Sequence, residues 1–225
     1  MCFRAVDELS KGVLTDNTRS FLIELKSRPQ PPPMTATTIL GTNEEVDYVN
    51  NACLSSLPGF ATCLEAVDKP YSSKLDRLAP KVLRLKPCAP VMLTTNINVK
   101  SGLVNGRSGS VESINKPDGY VTVQFAGIPQ PVRVTKFSYL SKHGTREQYP
   151  LKLSWARTVH KTQSQSLSGA VHVGCERISQ PGQLAVALSR ACDSEYLSLS
   201  GDVRTPPARA DIDAFYSTLF QVCKL

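Results

Sequence analysis

The first 28 residues place apolar side chains at helical spacing in two separate stretches. The apolar positions are Phe3, Val6 and Leu9, then Phe21, Leu22 and Leu25. Polar residues 15–17 lie between the two stretches, where a side chain such as Thr15 can cap the second helix. Four prolines within residues 28–33 then end helical structure, because proline lacks a backbone donor and fixes φ. The pattern predicts two helices followed by a linker or domain boundary.

Residues 34–50 have the pattern of a strand followed by a helix. Residues 37–40 (TTIL) favour extended chain, and Gly41, Thr42 and Asn43 form a short polar turn. Thr42 or Asn43 can cap the helix that follows. A strand that enters a helix through such a turn is typical of α/β folds.

The pattern changes to an alternation of period two between residues 82 and 140. In residues 120–125 (YVTVQF) the apolar side chains occupy every second position, and turn residues recur at 105–106, 117–119 and 127. Short strands at close spacing indicate a small β-barrel or a curled sheet.

After Pro150 the α/β pattern returns. We expect a strand at 170–173, a helix at 181–192, a strand at 196–200 and a closing helix at 211–220. The β module therefore interrupts an α/β domain in this interpretation.

Charge adds information about partners. The 225 residues carry a net charge of +7, which favours polyanions and nucleic acid in particular, although a merely solvated basic surface is the alternative. Residues 100–152 contain eight lysines and arginines against three acidic residues. This concentration on the β module predicts a surface that faces phosphate.

Several classes of protein do not fit. The seven cysteines never form a C-x-x-C pair, which argues against zinc and against a secreted disulfide framework, so we expect reduced thiols in an intracellular protein. No apolar run approaches the roughly 20 residues that span a bilayer, and no membrane partner is expected. Asp7 and Glu8 resemble a magnesium-holding pair, but no strand precedes them and we assign them to a helix. His172 is expected to be a satisfied sheet histidine.

Two segments in the last third could contact phosphate. Gln183 and Arg190 are seven residues apart, which would place both on one edge of the predicted helix, with Arg190 able to stabilise charge on a γ-phosphate. Thr158, His160, Lys161 and Gln163 bring hydroxyl, imidazole, ammonium and amide donors together. Taken singly, each segment also fits an ordinary capped or surface helix. The sequence contains no G-x-x-x-x-G-K-[ST] phosphate loop.

Taken together, these segments resemble the C-terminal half of the 5′-to-3′ DNA helicases of superfamily one, of the petite-integration-frequency (Pif) type. The resemblance covers nearly the whole chain. Its motifs are LRLKPCAPVML at 83–93, GLVNG at 102–106, PLKLSWA at 150–156, HKTQ at 160–163 and GQLAVALSRA at 182–191. LSKG at 9–12 is similar to the end of the family's first motor domain.

The resemblance implies two RecA-like domains with ATP and Mg²⁺ between them. This chain would contain the second domain, a parallel-sheet α/β fold of the P-loop-NTPase type without its own phosphate loop, interrupted by a small Src-homology-like β-barrel. Residues 1–33 would be a helical remnant of the first domain with a proline-rich linker. Residues 34–75 would begin the second domain, 76–149 would form the barrel, and 150–225 would complete the second domain.

The resemblance also implies roles for residues. Arg190 would be the arginine finger, and Gln183 would support it at the nucleotide. The expected single-strand DNA contacts are Thr42, Asn43, Thr158, His160, Lys161 and Gln163, with Lys100 and Lys136 on the barrel. ATP and Mg²⁺ would be held mainly by the missing first domain, which would be a partner together with single-stranded, forked or duplex DNA. The resemblance leaves open nucleus or mitochondrion, and telomere maintenance, replication or repair.

The chain departs from the family pattern at Ser164, Ala185 and the 86–88 turn, where the family has glycine, an aromatic residue and glycine. Because no phosphate loop is present, we expect no helicase activity from the chain alone. The open alternatives are a stand-alone single-stranded DNA-binding module and a degenerate helicase fragment.

Overall fold

The computed structural model describes residues 2–163, 165–180 and 182–203. The chain divides into two compact units. Unit 1 contains residues 1–49 and the chain from residue 156 onward, and unit 2 contains residues 50–155. Ser164 and the closing helix predicted at 211–220 lie outside the described residues.

The elements follow the chain as three groups. The first group is α1 (Cys2–Ser10), α2 (Asp16–Ser27), β1 (Thr37–Leu40) and α3 (Asn43–Ser56). The second is β2 (Thr62–Glu65), β3 (Val67–Lys69), a 3-10 helix (Ser73–Arg77), β4 (Val82–Leu85), β5 (Pro90–Leu93), β6 (Ser108–Asn115), β7 (Tyr120–Phe125), β8 (Val132–Thr135), β9 (Phe137–Ser141), β10 (Gly144–Gln148) and β11 (Leu151–Leu153). The third is β12 (Ala156–Thr158), α4 (Val159–Thr162), β13 (Val171–Gly174), α5 (Gln183–Leu188), a 3-10 turn (Ser194–Tyr196) and β14 (Leu197–Ser200).

The two N-terminal helices are confirmed, with one correction. Thr15 caps α2 by accepting a hydrogen bond from the backbone N–H of Thr18. On α1, Ala5 and Leu9 are buried, but Phe3 is 95% exposed and does not belong to the packed face as predicted. Among the described residues, nothing packs over Phe3 in the first turn of α1, so the prediction from helical periodicity was wrong for Phe3.

Glu8 joins the two helices through polar contacts. Its carboxylate accepts hydrogen bonds from the hydroxyls of Thr15, at 2.6 Å, and Thr18, and from Arg4 Nε at 3.0 Å. These bonds, with those from Thr15 and Thr18 foremost, lower the pKa of Glu8 to about 2. Asp7 pairs with Lys11, just after α1, and both acids lie on α1, so neither has the strand context of a magnesium pair.

Unit 1 is built on a four-stranded parallel sheet in the order β12-β1-β13-β14. One face of the sheet is apolar and packs against α1, α2 and α5 around a common core. The core side chains from the strands are Ile39, Val171, Val173, Leu197 and Leu199. The predicted strands near 37–40, 170–173 and 196–200 are thus confirmed, and their fully parallel pairing is that of an α/β domain.

The opposite face of the sheet is polar at its centre. His172 is 2% exposed, with Nδ1 2.9 Å from Ser198 Oγ and Nε2 3.0 Å from Ser200 Oγ. Burial lowers the pKa of His172, because the charged imidazolium would lose its hydration. The prediction of a satisfied sheet histidine is confirmed.

Unit 2 consists of antiparallel sheets. The largest has five strands in the order β11-β5-β6-β7-β8, and the others are β3-β10-β9 and β2-β4. The alternation predicted for β7 is confirmed, since Val121, Val123 and Phe125 are buried and the residues between them are half-buried. The sequence placed the limits of this module at 76 and 149, whereas the contacts extend it to 50–155, because β2 and β3 pair with β4 and β10.

A buried ion network holds the edge of unit 2 together. Arg146 on β10 is 0% exposed and forms a two-bond contact with Asp68, at 2.7 and 2.8 Å. Its Nη1 also donates to Asp76 Oδ1 and to the carbonyl of Ala79, both at 2.6 Å. The bonds from Arg146 lower the pKa of Asp68, and the bonds to Asp68 raise the pKa of Arg146.

The turn between β4 and β5 keeps a glycine-like backbone without a glycine. Cys88 has φ of 65°, and its N–H donates to the carbonyl of Val111 at 2.8 Å. A side chain in this left-handed region costs on the order of 1 kcal/mol. The departure noted at 86–88 therefore leaves the turn intact but strained.

Candidate nucleotide-facing and DNA-facing site

Polar residues collect at one edge of the parallel sheet in unit 1. Parallel strands end at the same edge, which is where ligands of open α/β sheets bind. The turn at 41–43 follows β1, and α4 follows β12, so Thr42, Asn43, His160 and Lys161 belong to this carboxyl edge. Helix α4 packs beside β1, which brings the two segments into proximity.

The β1–α3 turn is rigid for two reasons. Thr42 Oγ1 accepts from the N–H of Glu45 at 3.4 Å, and the Glu45 carboxylate accepts from Thr42 N at 3.1 Å and from Thr42 Oγ1 at 2.7 Å, which is a capping box. A Cβ at Gly41 would lie 2.2 Å from the carbonyl oxygen of Arg177, so only glycine fits this close approach. The capping of α3 predicted at Thr42 or Asn43 is confirmed at Thr42.

Arg177 is a residue of this edge that the sequence reasoning missed. It follows β13, and its Nη1 lies 2.8 Å from Glu44 Oε2 at the start of α3. Both side chains are exposed, and the hydrogen bond with Glu44 raises the pKa of Arg177. A basic residue just after an apolar strand was the available signal.

Helix α4 separates apolar and polar side chains within one turn. Val159 and Thr162 are buried, and Thr162 Oγ1 donates to the carbonyl of Val159 at 2.7 Å. His160, Lys161 and Gln163 are exposed, whereas Thr158 is only 7% exposed at the N-cap. Three of the four predicted contact residues in this segment are thus available at the surface, whereas Thr158 is buried and its side chain makes no hydrogen bond that caps α4.

Helix α5 is shorter than predicted. It spans Gln183–Leu188 and begins after Gly182, which has φ of 75°. Arg190 follows in a turn, so the inference that Gln183 and Arg190 share one edge of a helix is wrong. Gln183 Oε1 accepts from the N–H of Gln180 at 3.2 Å and stabilises the helix start. Ala185, which stands where the family pattern has an aromatic residue, is 3% exposed and belongs to the core of unit 1.

The Arg190 guanidinium lies against neutral acceptors of unit 1. Its Nε is 3.1 Å from the Val186 carbonyl, Nη2 is 2.8 Å from Ser189 Oγ, and Nη1 is 3.3 Å from the Gln165 carbonyl. The side chain is half-buried. None of these acceptors carries charge, so the contacts hold the cation without neutralising it, which suits an anionic ligand.

The predicted barrel contacts, Lys100 and Lys136, belong to unit 2. Lys100 is exposed in the loop between β5 and β6. Lys136 is also exposed, and its Nζ donates to the carbonyl of Glu65 at 2.9 Å. The structure therefore leaves both ammonium groups at the surface of the module where positive charge concentrates.

The described residues contain neither a metal-binding cluster nor a membrane-spanning helix. Residues 2–163, 165–180 and 182–203 contain no group of three or more His, Cys, Asp or Glu side chains that could hold a metal ion. No helix among these residues is long and apolar enough to cross a membrane.

Comparison with known proteins gives a consistent result. The family model described as DNA helicase Pif1, 2B domain, matches residues 72–114. The protein named ATP-dependent DNA helicase PIF1 of Danio rerio is 34% identical over 194 residues, which are 82% of this chain and 30% of that protein. Its Homo sapiens counterpart is 33% identical over 195 residues, again 82% and 30% of the two chains. The chain therefore spans about a third of the length of these relatives.

Solved structures agree with the sequence matches. The Pif1 helicase of Candida albicans superposes with a TM-score of 0.81 at 27% identity, covering 97% of this chain and 57% of that one. Bacteroides Pif1 bound to single-stranded DNA gives 0.79 at 22% identity, covering 96% and 53%. Pif1 helicases have RecA-like motor domains and a Src-homology-like 2B domain, and the mixed α/β sheets of this chain fit that fold. The chain belongs to the Pif1-type helicases and corresponds to a C-terminal portion of such a protein.

Proposed function

We propose that this chain is the C-terminal part of an ATP-dependent 5′-to-3′ DNA helicase. Unit 1 acts as the second RecA-like domain and unit 2 as the barrel inserted into it. The observation that carries the proposal is the carboxyl edge of the parallel sheet, where exposed donors follow two adjacent strands. The curated relatives are named as ATP-dependent DNA helicases, which supports this assignment.

On the nucleotide side, Arg190 is the arginine finger and Gln183 supports the segment that carries it. The Arg190 cation is held by neutral groups, which it can exchange for γ-phosphate oxygens as charge develops there. Mg²⁺ and the remaining phosphates are held by a first RecA-like domain, because the sequence lacks a phosphate loop. ATP hydrolysis thus requires both domains.

On the DNA side, the exposed polar edge contacts the phosphates of a single strand. Asn43, His160, Lys161 and Gln163 supply hydrogen-bond donors from two adjacent segments. Thr42, whose N–H and hydroxyl donate to Glu45, holds the turn that presents Asn43, and Thr158 lies at the N-cap of α4. Lys100 and Lys136 are separate contacts on the barrel, where they guide the strand or a fork. The sequence-independent chemistry of these groups fits translocation along any sequence.

The first experiment uses the complete helicase with Arg190→Ala. Loss of the finger should lower the ATPase rate by about 10³-fold or more and leave single-strand affinity unchanged, since the finger acts on the transferring phosphate. Arg19→Ala, an exposed arginine of α2, is the matched control. ATP turnover within a few-fold of the unaltered enzyme would contradict the assignment.

The second experiment measures single-strand binding by the chain itself at several salt concentrations. Replacing Lys100 and Lys136 by Ala should reduce the slope of log affinity against log salt by about 0.7 per lysine. Lys11→Ala, just after α1, should leave the slope unchanged, because Lys11 pairs with Asp7. An equal slope in all variants would remove the barrel from the DNA contact.

A stand-alone single-stranded DNA-binding module is the second candidate function. The exposed donors of α4 and the charge of unit 2 require no nucleotide, which favours this alternative. Tight binding by the chain, combined with normal ATPase in the complete Arg190→Ala enzyme, would select it. A degenerate fragment would show neither activity.

A further inference from the structure

Arg157 carries a charge into the interior of unit 1. It lies on β12 opposite Ile39 of β1, on the sheet face that contains the apolar core, and is 5% exposed. Loss of hydration lowers the pKa of Arg157 to about 10, which is still well above neutral pH. A buried cation is costly where an apolar residue of similar volume could pack, so its presence calls for a role.

The Arg157 guanidinium reaches the segment that follows the HKTQ motif. Its Nη1 donates to Gln165 Oε1 at 2.7 Å. The backbone carbonyl of the same Gln165 accepts from Arg190 Nη1 at 3.3 Å. Gln165 therefore contacts Arg157 through its side chain and Arg190 through its backbone.

The backbone around Gln165 is joined to the backbone around Arg190. Leu167 N–H donates to the carbonyl of Arg190 at 2.8 Å, and Cys192 N–H donates to the carbonyl of Leu167 at 3.0 Å. Leu167 and Ala191 form an isolated parallel bridge. On the other side, the Gln165 N–H donates to the carbonyl of Thr162 at 3.0 Å. The bond from Arg157 adds a hold on the Gln165 side chain to these backbone bonds.

We propose that Arg157 is a positioning residue, which holds the Gln165 side chain so that the Gln165 carbonyl fixes the guanidinium of Arg190. The proposal rests on the proposed function only for the role of Arg190; the positioning itself is a property of this chain. Val186 and Ser189, at the end of α5, accept hydrogen bonds from Arg190. Gln165, which Arg157 contacts, accepts a further bond from Arg190 in the segment after α4.

A consequence for a helicase is that movement of the DNA-contacting segment reaches Arg190. Gln165 follows the end of α4 by three residues, and its bond to Arg157 anchors it to the sheet. A shift of α4 on DNA binding would move the Gln165 carbonyl relative to the anchored Arg157. The hydrogen bond from Arg190 to the Gln165 carbonyl would change in response.

The test uses this chain alone, without ATP or DNA. Phenylglyoxal modifies arginines, and mass spectrometry of the peptides gives the modification rate at Arg190. In Arg157→Met the rate should rise about fivefold, the change expected for losing one ordinary hydrogen bond. Arg177→Met, which removes an exposed arginine of the same unit, should leave the rate at Arg190 unchanged.

Conservative substitution separates positioning from general packing. Gln165→Glu keeps an acceptor for Arg157 and should retain the slow modification of Arg190, whereas Gln165→Leu should reproduce the fast rate. Circular dichroism checks that each variant is folded, and Gln165→Leu replaces Arg157→Met in the comparison if the latter unfolds.

The proposal is overturned if folded Arg157→Met or Gln165→Leu modifies Arg190 at the original rate. It is equally overturned if Gln165→Glu is as fast as Gln165→Leu, because packing rather than the acceptor would then matter. Neither result depends on ATPase or DNA binding, so failure here is distinct from failure of the helicase assignment.

Discussion

Arg146 in unit 2 and Arg157 in unit 1 are both buried arginines on short strands, but they meet different partners. Arg146 contacts two carboxylates and a carbonyl, and the bond to Asp68 raises its pKa. Arg157 contacts the neutral amide of Gln165, and burial lowers its pKa to about 10. Arg146 is paired with carboxylates, whereas burial deprives the Arg157 cation of hydration.

The difference separates a structural residue from a candidate functional one. The Arg146 network joins β3, β10 and the 3-10 helix at Ser73–Arg77, so its role is complete within unit 2. Arg157 joins the sheet to the segment that contacts Arg190.

The largest expected effect is the loss of the Arg146 network. Arg146→Met should destabilise unit 2 by about 3–5 kcal/mol, because Asp68 would remain buried without its partner. Urea unfolding followed by the fluorescence of Trp155, the single tryptophan and a residue of unit 2, measures this change. The exposed Arg84→Met is the control and should change little. Equal urea midpoints for Arg146→Met and Arg84→Met would show that the Arg146 network does not stabilise unit 2.

A pH experiment tests His172, a buried ionisable side chain of unit 1. Burial lowers the pKa of His172 from its ordinary 6.5. Below that ordinary value the unfolded state binds more protons, so the stability of unit 1 should fall as pH falls from about 7 to 5, with a slope of at most about 1.4 kcal/mol per pH unit. His172→Gln should remove this slope. An unchanged slope would mean that other groups produce it.

A further test in unit 2 concerns backbone strain at Cys88 rather than buried charge. Cys88→Gly should stabilise unit 2 by about 1 kcal/mol, because glycine adopts φ of 65° without the steric cost of a side chain. The same Trp155 unfolding experiment detects it. Cys63→Gly, at an exposed position within β2, should instead destabilise. A loss of stability in Cys88→Gly would show that the turn carries no strain.

The smallest expected effect is that of Arg157→Met on stability. Replacing this buried charge with an apolar side chain of similar volume should change the stability of unit 1 by less than about 1 kcal/mol, because relief of the desolvation cost offsets the lost contacts. Hydrogen exchange of the backbone amides of β1 and β12 measures the change in unit 1. A loss as large as that of Arg146→Met would place both arginines in the same structural class.

The sequence by itself determined the local elements and most of the candidate site. The period-two pattern at 120–125, the apolar runs at 37–40 and 171–173, and the caps at Thr15 and Thr42 all correspond to elements of the structure. These features depend on neighbours within a few residues, where side-chain period and capping chemistry act directly. The motifs also predicted the candidate residues His160, Lys161 and Arg190, whose roles stay predictions.

Only the tertiary structure decided features that depend on distant parts of the chain. The end of α5 at Leu188, the exposure of Phe3 and the extent of unit 2 follow from which elements pack or pair with which. The contacts of Arg157 with Gln165 and of Gln165 with Arg190 cannot be read from spacing. Periodicity records which face of an element is apolar, but the partner of a buried charge is set by the three-dimensional arrangement of strands and loops.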